Sequence, residues 1–136
     1  MLYRLAAAVR WRLRRDLGRR GEDLAHGYLR RLKYVIVARN YRPASGAPGE
    51  IDLVARDGKQ LVFVEVKTRS DNAISFPERA VDDEKRRHII RTARDYARRA
   101  NVDWSCVRFD IVAITGAVSP EIHHLKDAFG VDLSFA

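Results

Sequence analysis

Two apolar runs, residues 51–56 (IDLVAR) and 60–67 (QLVFVEVK), flank the dipeptide Asp57-Gly58. Both runs favour strand, and Asp-Gly is a strong two-residue hairpin signal because both turn positions need positive φ. An antiparallel β-hairpin follows. With Asp57 and Gly58 as the loop, Arg56 faces Lys59, Asp52 faces Phe63 and Glu50 faces Glu65. Side chains alternate along a strand, so Glu50, Asp52 and Val54 share a face with Leu61, Phe63, Glu65 and Lys67. Asp52 and Glu65 then stand as diagonal neighbours roughly 7 Å apart at the backbone, within reach of one ion.

The intervening residues Ile51, Leu53, Val62, Val64 and Val66 are apolar, as in central, buried strands, where opposed like charges are destabilising. A divalent cation would neutralise them, and a few carboxylates completed by waters are the ligand set of Mg²⁺ or Mn²⁺. Lys67 beside such an ion would hold or activate a water and stabilise charge on a phosphoryl group under attack. The same alternation also suits a solvent-exposed polar strand face on which Lys67 pairs with Glu65.

The rest of the chain frames the hairpin. Residues 19–32 place Ala25, Tyr28, Leu29 and Leu32 on one helical stripe, and residues 34–40 (YVIVARN) read as a strand. Polar loops follow at 41–49 and 68–77. Residues 83–100 form a helix with Asp82 as N-cap and an apolar stripe of Ile89, Ile90, Ala93, Tyr96, Ala97 and Ala100. A further strand covers 107–115 (VRFDIVAIT), and the apolar segment 122–129 has no assigned element. The order is α-β-β-β-α-β: an α/β fold with one mixed sheet flanked by helices. Glu22 falls at i, i+3 and i+7 with Ala25 and Leu29, placing an acid on the stripe that faces the sheet, although a first-turn acid is also favoured by the helix dipole. Asp110 reads as a structural partner in the neighbourhood of Arg108, and the four histidines as surface or satisfied core.

At 136 residues the expectation is one domain, 18–136, preceded by a basic arm or helix, 1–17. Lys+Arg number 26 against 18 Asp+Glu, a net charge of +8, and 21 of the basic residues are arginine. The excess points to an anionic partner, and the planar guanidinium suits phosphate, although a codon-biased genome also enriches arginine. Residues 83–100 carry Lys85, Arg86, Arg87, Arg91, Arg94, Arg98 and Arg99, a ridge able to follow a nucleic-acid backbone or simply face solvent. Trp11 and Trp104 are candidates for stacking on bases, although one buried and one membrane-surface tryptophan would look identical in sequence. The single cysteine, Cys106, excludes an internal disulfide and any cysteine-based zinc site. No membrane span and no secretory signal is recognised, so the expected location is cytoplasmic.

Asp52, twelve intervening residues and then Glu65-Val66-Lys67 resemble the bipartite PD-(D/E)xK motif of restriction-endonuclease-like nucleases, whose core has the same α-β-β-β-α-β order. Glu22 is similar to the first-helix glutamate of Holliday-junction resolvases. A closer likeness is to the YraN-type family of small bacterial proteins, classed as endonuclease-related and functionally uncharacterised. Its pattern is met in Gly18-Arg19-Arg20-Gly21-Glu22, Ala25, Tyr28-Leu29, Arg39-Asn40-Tyr41-Arg42, Gly49-Glu50-Ile51-Asp52-Leu53, Phe63-Val64-Glu65-Val66-Lys67-Thr68-Arg69, Ala80-Val81, Lys85, Arg108-Phe109-Asp110 and Ala128-Phe129. Ile51 replaces the proline of the nuclease motif, and Ile74-Ser75-Phe76 departs from the family's usual aromatic-glycine pair.

The resemblance implies a Mg²⁺- or Mn²⁺-dependent endonuclease that hydrolyses phosphodiesters in structured or branched DNA. In that scheme Asp52, Glu65 and the Val66 carbonyl bind the ion, Glu50 and Glu22 support it or its waters, and Lys67 orients or deprotonates the attacking water. Arg42, Arg69, Lys85, Arg86 and Arg91 are the candidate nucleic-acid contacts, each equally readable as a solvated surface cation. No organic cofactor is expected, and cutting two strands would favour a homodimer. Two other classes remain open: a non-catalytic nucleic-acid-binding module of the same fold, and an adaptor whose Arg-rich arm binds an acidic partner.

Overall fold

The hairpin forms at the centre of a five-stranded mixed sheet, seen in a computed structural model that describes residues 18–69, 83–116 and 118–130. Helix α1 (18–31) precedes β1 (Val35–Tyr41), β2 (Ile51–Asp57) and β3 (Gln60–Arg69); α2 (Asp83–Arg99), β4 (Val107–Thr115) and β5 (Glu121–Leu125) follow. The sheet order is β1-β2-β3-β4-β5, with β3 and β4 parallel and every other pair antiparallel. The helix-strand-strand-strand-helix-strand order read from the sequence is borne out, and the unassigned tail supplies β5. The basic arm 1–17, the expected cap Asp82 and the segment 74–76 lie outside the described residues.

The two helices cover opposite faces of the sheet. Ile89, Ile90, Ala93 and Ala97 of α2 pack on Val54, Leu61, Phe63, Val107, Phe109 and Ile111, while Ala25 and Leu29 of α1 pack on Leu53, Ala55, Val62, Val64, Val112 and Ile114. Central strands buried on both faces explain the near-continuous apolar runs.

The hairpin turn differs from the expectation by one residue. Asp57 pairs with Gln60, Arg56 with Leu61 and Leu53 with Val64, so Gly58 and Lys59 form the loop. Only Gly58 has positive φ there, at 60°, the pattern of a II′ turn in which glycine takes the first central position. Asp57 stays in the strand, where its carboxylate accepts from Arg108 Nη1 at 3.0 Å. Moving the loop by one residue moves each partner by two. The faces are therefore unchanged, but Asp52 comes opposite Glu65 rather than diagonal to it.

Both helices stop at a left-handed residue. Lys33 (φ 72°) donates to the Arg30 carbonyl and Tyr34 to that of Leu29; Asn101 (φ 56°) donates to Arg98 and Val102 to Ala97. This paired pattern ends each helix one residue earlier than periodicity suggests. Leu32 and Ala100 consequently leave their stripes and are exposed, Leu32 to 45%.

Gly49 fixes the approach of the loop before β2 to α2. Its φ is 139°, and a Cβ there would overlap the Thr92 hydroxyl and come within 3.2 Å of the His88 carbonyl oxygen. Gly49→Ala is expected to lower unfolding free energy by about 2 kcal/mol, read as a reduced urea midpoint with unchanged slope.

Candidate functional site

Beyond Leu53 and Val64 the ladder between β2 and β3 stops, because Asp52 Oδ2 accepts the Val66 N–H at 2.8 Å in place of a backbone carbonyl. The parting strands open a cleft of about 390 Å³ lined by Glu22, Gly49, Glu50, Asp52, Glu65, Lys85, His88 and Ile89. Four elements of the fold therefore meet there: the start of α1, the entry to β2, the middle of β3 and the first turns of α2.

Glu65 is 5% exposed and hydrogen-bonds Asp52. Its Oε1 forms an ion pair with Lys85 Nζ, and Lys67 Nζ stands 3.9 Å from the same oxygen. Burial, then the charge of Glu65, push the Asp52 carboxyl up to about 8, against the pull of the Val66 N–H. Burial, then the adjacent Lys85, hold the Lys67 amine below the ordinary lysine value. Burial opposes the charge on Lys85 too, but its hydrogen bond to Glu65 and the charge of that carboxylate outweigh it and hold Lys85 above the ordinary value.

A second acidic pair closes the rim. The Asn40 amide, oriented by its acceptors, donates to both oxygens of Glu22 at 3.2 and 3.3 Å and to Glu50 Oε1 at 3.1 Å. Arg39 lies 3.6 Å from Glu22, and Arg42 pairs with Glu50 at 3.0 Å. Asn40 has φ 51°, a conformation that asparagine tolerates better than most side chains. The chemistry-bearing spacing pointed to Glu22 and Glu50 but not to the amide that joins them. Its one signal was its place in the Arg39-Asn40-Tyr41-Arg42 run.

Glu22, Glu50, Asp52, Glu65, Lys67 and Lys85 are thus brought together. The remaining candidates are more dispersed. Arg69 ends β3, where its carbonyl accepts from Gly116 at 2.9 Å; Arg86 packs its guanidinium 5.6 Å from the Phe129 ring centre; Arg91 projects from α2 into a separate pocket.

Among the described residues no three His, Cys, Asp or Glu side chains converge as a ready cage. The donor set that fits a divalent ion is the buried Asp52–Glu65 pair, to which the Val66 carbonyl and waters would add. Two adjacent carboxyl groups neutralised by a proton and one ammonium form a site that a dication can take over by displacing both.

Fold and cleft define an α/β protein with the arrangement of a restriction-endonuclease-like core and an acid–lysine cluster where two central strands part. The chain belongs to uncharacterised protein family UPF0102, whose profile matches residues 21–114, a span that includes Glu22, Asp52, Glu65, Lys67 and Lys85. It is 56% identical over 132 residues to a UPF0102 protein of Solibacter usitatus, covering 95% of this chain and 98% of the relative. A Geobacter sulfurreducens member is 47% identical over 115 residues (83% and 88% of the two chains), and one from Rhodococcus opacus 44% over 115 (83% and 95%). The family likeness read from the motifs is borne out. No helix among the described residues is long and apolar enough to cross a membrane.

Proposed function

We propose that this protein is a Mg²⁺- or Mn²⁺-dependent endonuclease acting on structured or branched DNA. The observation that carries the reading is the buried Asp52–Glu65 pair at the parting of β2 and β3 with Lys67 and Lys85 against it. A bound divalent ion supplies Lewis-acid stabilisation of the phosphoryl group and lowers the pKa of a coordinated water. Asp52, Glu65 and the Val66 carbonyl would hold it, and Glu22 and Glu50, tied by Asn40, would accept hydrogen bonds from its waters. Lys67, whose amine burial makes easier to deprotonate, would orient the attacking water and take its proton. Lys85, released from Glu65 by the incoming ion, would face a substrate phosphate oxygen. Arg42, Arg69 and Arg91 would bind flanking phosphates.

Labelled duplex, flap and four-way-junction DNA incubated with the protein and Mg²⁺ or Mn²⁺ provide the test. Cleavage is expected from the wild type and not from Asp52→Ala or Lys67→Ala. Wild-type cleavage no greater than that of the two variants would refute the enzyme.

A second reading, a non-catalytic nucleic-acid-binding module, draws on the Lys85–Glu65 ion pair, which compensates the buried acid without a metal. It predicts no cleavage, together with an affinity that falls by about 10³ or more between 50 and 200 mM salt if six phosphates are contacted.

A further inference from the structure

A second pocket, of about 710 Å³, lies beside the acidic cleft. The two share walls. The loop between β1 and β2 gives Gly49 and Glu50 to the cleft and Pro43 and Pro48 to the pocket; α2 gives His88 and Ile89 to the cleft and, further on, Arg91, Arg94 and Arg98 to the pocket. The far wall is Trp104, in the short 3-10 turn Trp104–Cys106 before β4.

The pocket joins two chemistries. Trp104 and the two prolines are flat apolar surfaces. The indole is braced from behind by Phe109, with ring centres 6.1 Å apart, and Arg94 holds its guanidinium 5.2 Å from the indole centre. The three arginines follow i, i+3 and i+7 spacing on one face of α2, and none forms a salt bridge among the described residues. The one acid in the lining, Asp95, is already engaged by the Tyr41 hydroxyl at 3.0 Å and by Arg99 at 3.2 Å. A planar aromatic ligand that carries negative charge matches both surfaces.

We propose that this pocket receives an unpaired nucleotide of a nucleic-acid strand, with its base against Trp104 and its phosphates among Arg91, Arg94 and Arg98. The inference rests on the nucleic-acid reading above and narrows its substrate: the strand that reaches the acidic cleft carries an unpaired base beside it. A fully paired duplex must first unpair and unstack a base, at a cost of a few kcal/mol, before it can offer one to the indole.

The test uses the full chain with Trp11→Phe, which leaves Trp104 as its only tryptophan, in EDTA at fixed salt. A 12-nucleotide single strand should quench Trp104 emission, a mononucleotide should do so only at much higher concentration, and a blunt 12-base-pair duplex should leave it unchanged. Arg91 and Arg98 are exposed, so Arg91→Glu/Arg98→Glu should preserve the fold while weakening the single strand by roughly tenfold or more. Trp104→Leu, followed by anisotropy of a labelled strand, should weaken binding by a similar factor. Absence of quenching, equal quenching by the duplex, response to the mononucleotide alone, or unchanged affinity in the double arginine variant would overturn the proposal. Mn²⁺ calorimetry on the same protein, dialysed free of EDTA, separates the two readings: metal binding without quenching refutes this pocket alone, and quenching without metal binding refutes the metal centre alone.

Discussion

Arg108→Ala is expected to unfold at a much lower urea concentration than the wild type, with a loss of about 3–5 kcal/mol in unfolding free energy at pH 7. All the donor nitrogens of Arg108 are used. Nε and Nη2 clamp the two oxygens of Asp110 at 2.8 and 2.9 Å, Nη2 also donates to the Tyr34 hydroxyl at 2.7 Å, and Nη1 donates to Asp57 at 3.0 Å and Gln60 at 2.7 Å. Asp110 is fully buried and in turn meets His124 Nε2 at 2.8 Å and accepts the Asp127 N–H at 3.1 Å. One guanidinium therefore ties the hairpin turn, the start of β1, β4 and β5. Truncation leaves a buried carboxylate without its main counter-charge, and Arg108→Lys should recover only part of the loss because an ammonium cannot reproduce the planar fork.

The same cluster sets the response to acid. Burial alone would push the Asp110 carboxyl up, but the hydrogen bonds from His124, Arg108 and the Asp127 N–H outweigh it and hold the group below the usual carboxylate range. A folded-state value below the unfolded value of about 3.9 means that this stabilisation is present above that pH and is lost as pH falls through the folded value. In Asp52→Asn, which removes the opposing titration of the cleft carboxyl, the urea midpoint should be lower at pH 3 than at pH 5. A loss below about 1 kcal/mol for Arg108→Ala at pH 7 would show that water solvates Asp110 once the arginine is gone.

Much of this arrangement was legible because parity survives error. The face shared by Asp52, Glu65 and Lys67 follows from period-two alternation, which a one-residue displacement of the turn leaves intact. The displacement itself was not legible, since it depends on Asp57 staying in the strand to meet Arg108, a residue 51 positions away. Long-range partners explain the other misses. Within-strand spacing suggested Lys67 as the partner of Glu65, yet the closer ammonium is Lys85, delivered by the crossover helix. β5 carries the run Glu121–Leu125, with two histidines and little β-branching; pairing with β4 and the buried His124–Asp110 contact hold it. Asn40 matters through two acids from different elements that periodicity cannot place together.

In the metal-free protein Asp52→Asn is expected to raise stability at pH 8 by more than about 2 kcal/mol and to change it little at pH 4. The carboxyl of Asp52 is pushed up to about 8 by burial and by Glu65, whereas in the unfolded chain it titrates near 3.9. Between those values the folded protein binds the proton that the unfolded chain has released. Wild-type stability must therefore fall as pH rises from about 4 to about 8 and level off above the folded value. Asparagine keeps the shape and an oxygen for the Val66 N–H but carries no charge, so its profile lacks this decline. Urea unfolding in EDTA across pH 4–9 checks the difference, and a flat wild-type profile would show that solvent relieves the pair. On the proposed function, millimolar Mg²⁺ or Mn²⁺ should restore wild-type stability at pH 8 but not act on Asp52→Asn, while the same substitution abolishes cleavage. On that reading, a charge that burial makes unfavourable for folding at neutral pH is accounted for by the cation it would hold rather than by what it contributes to folding.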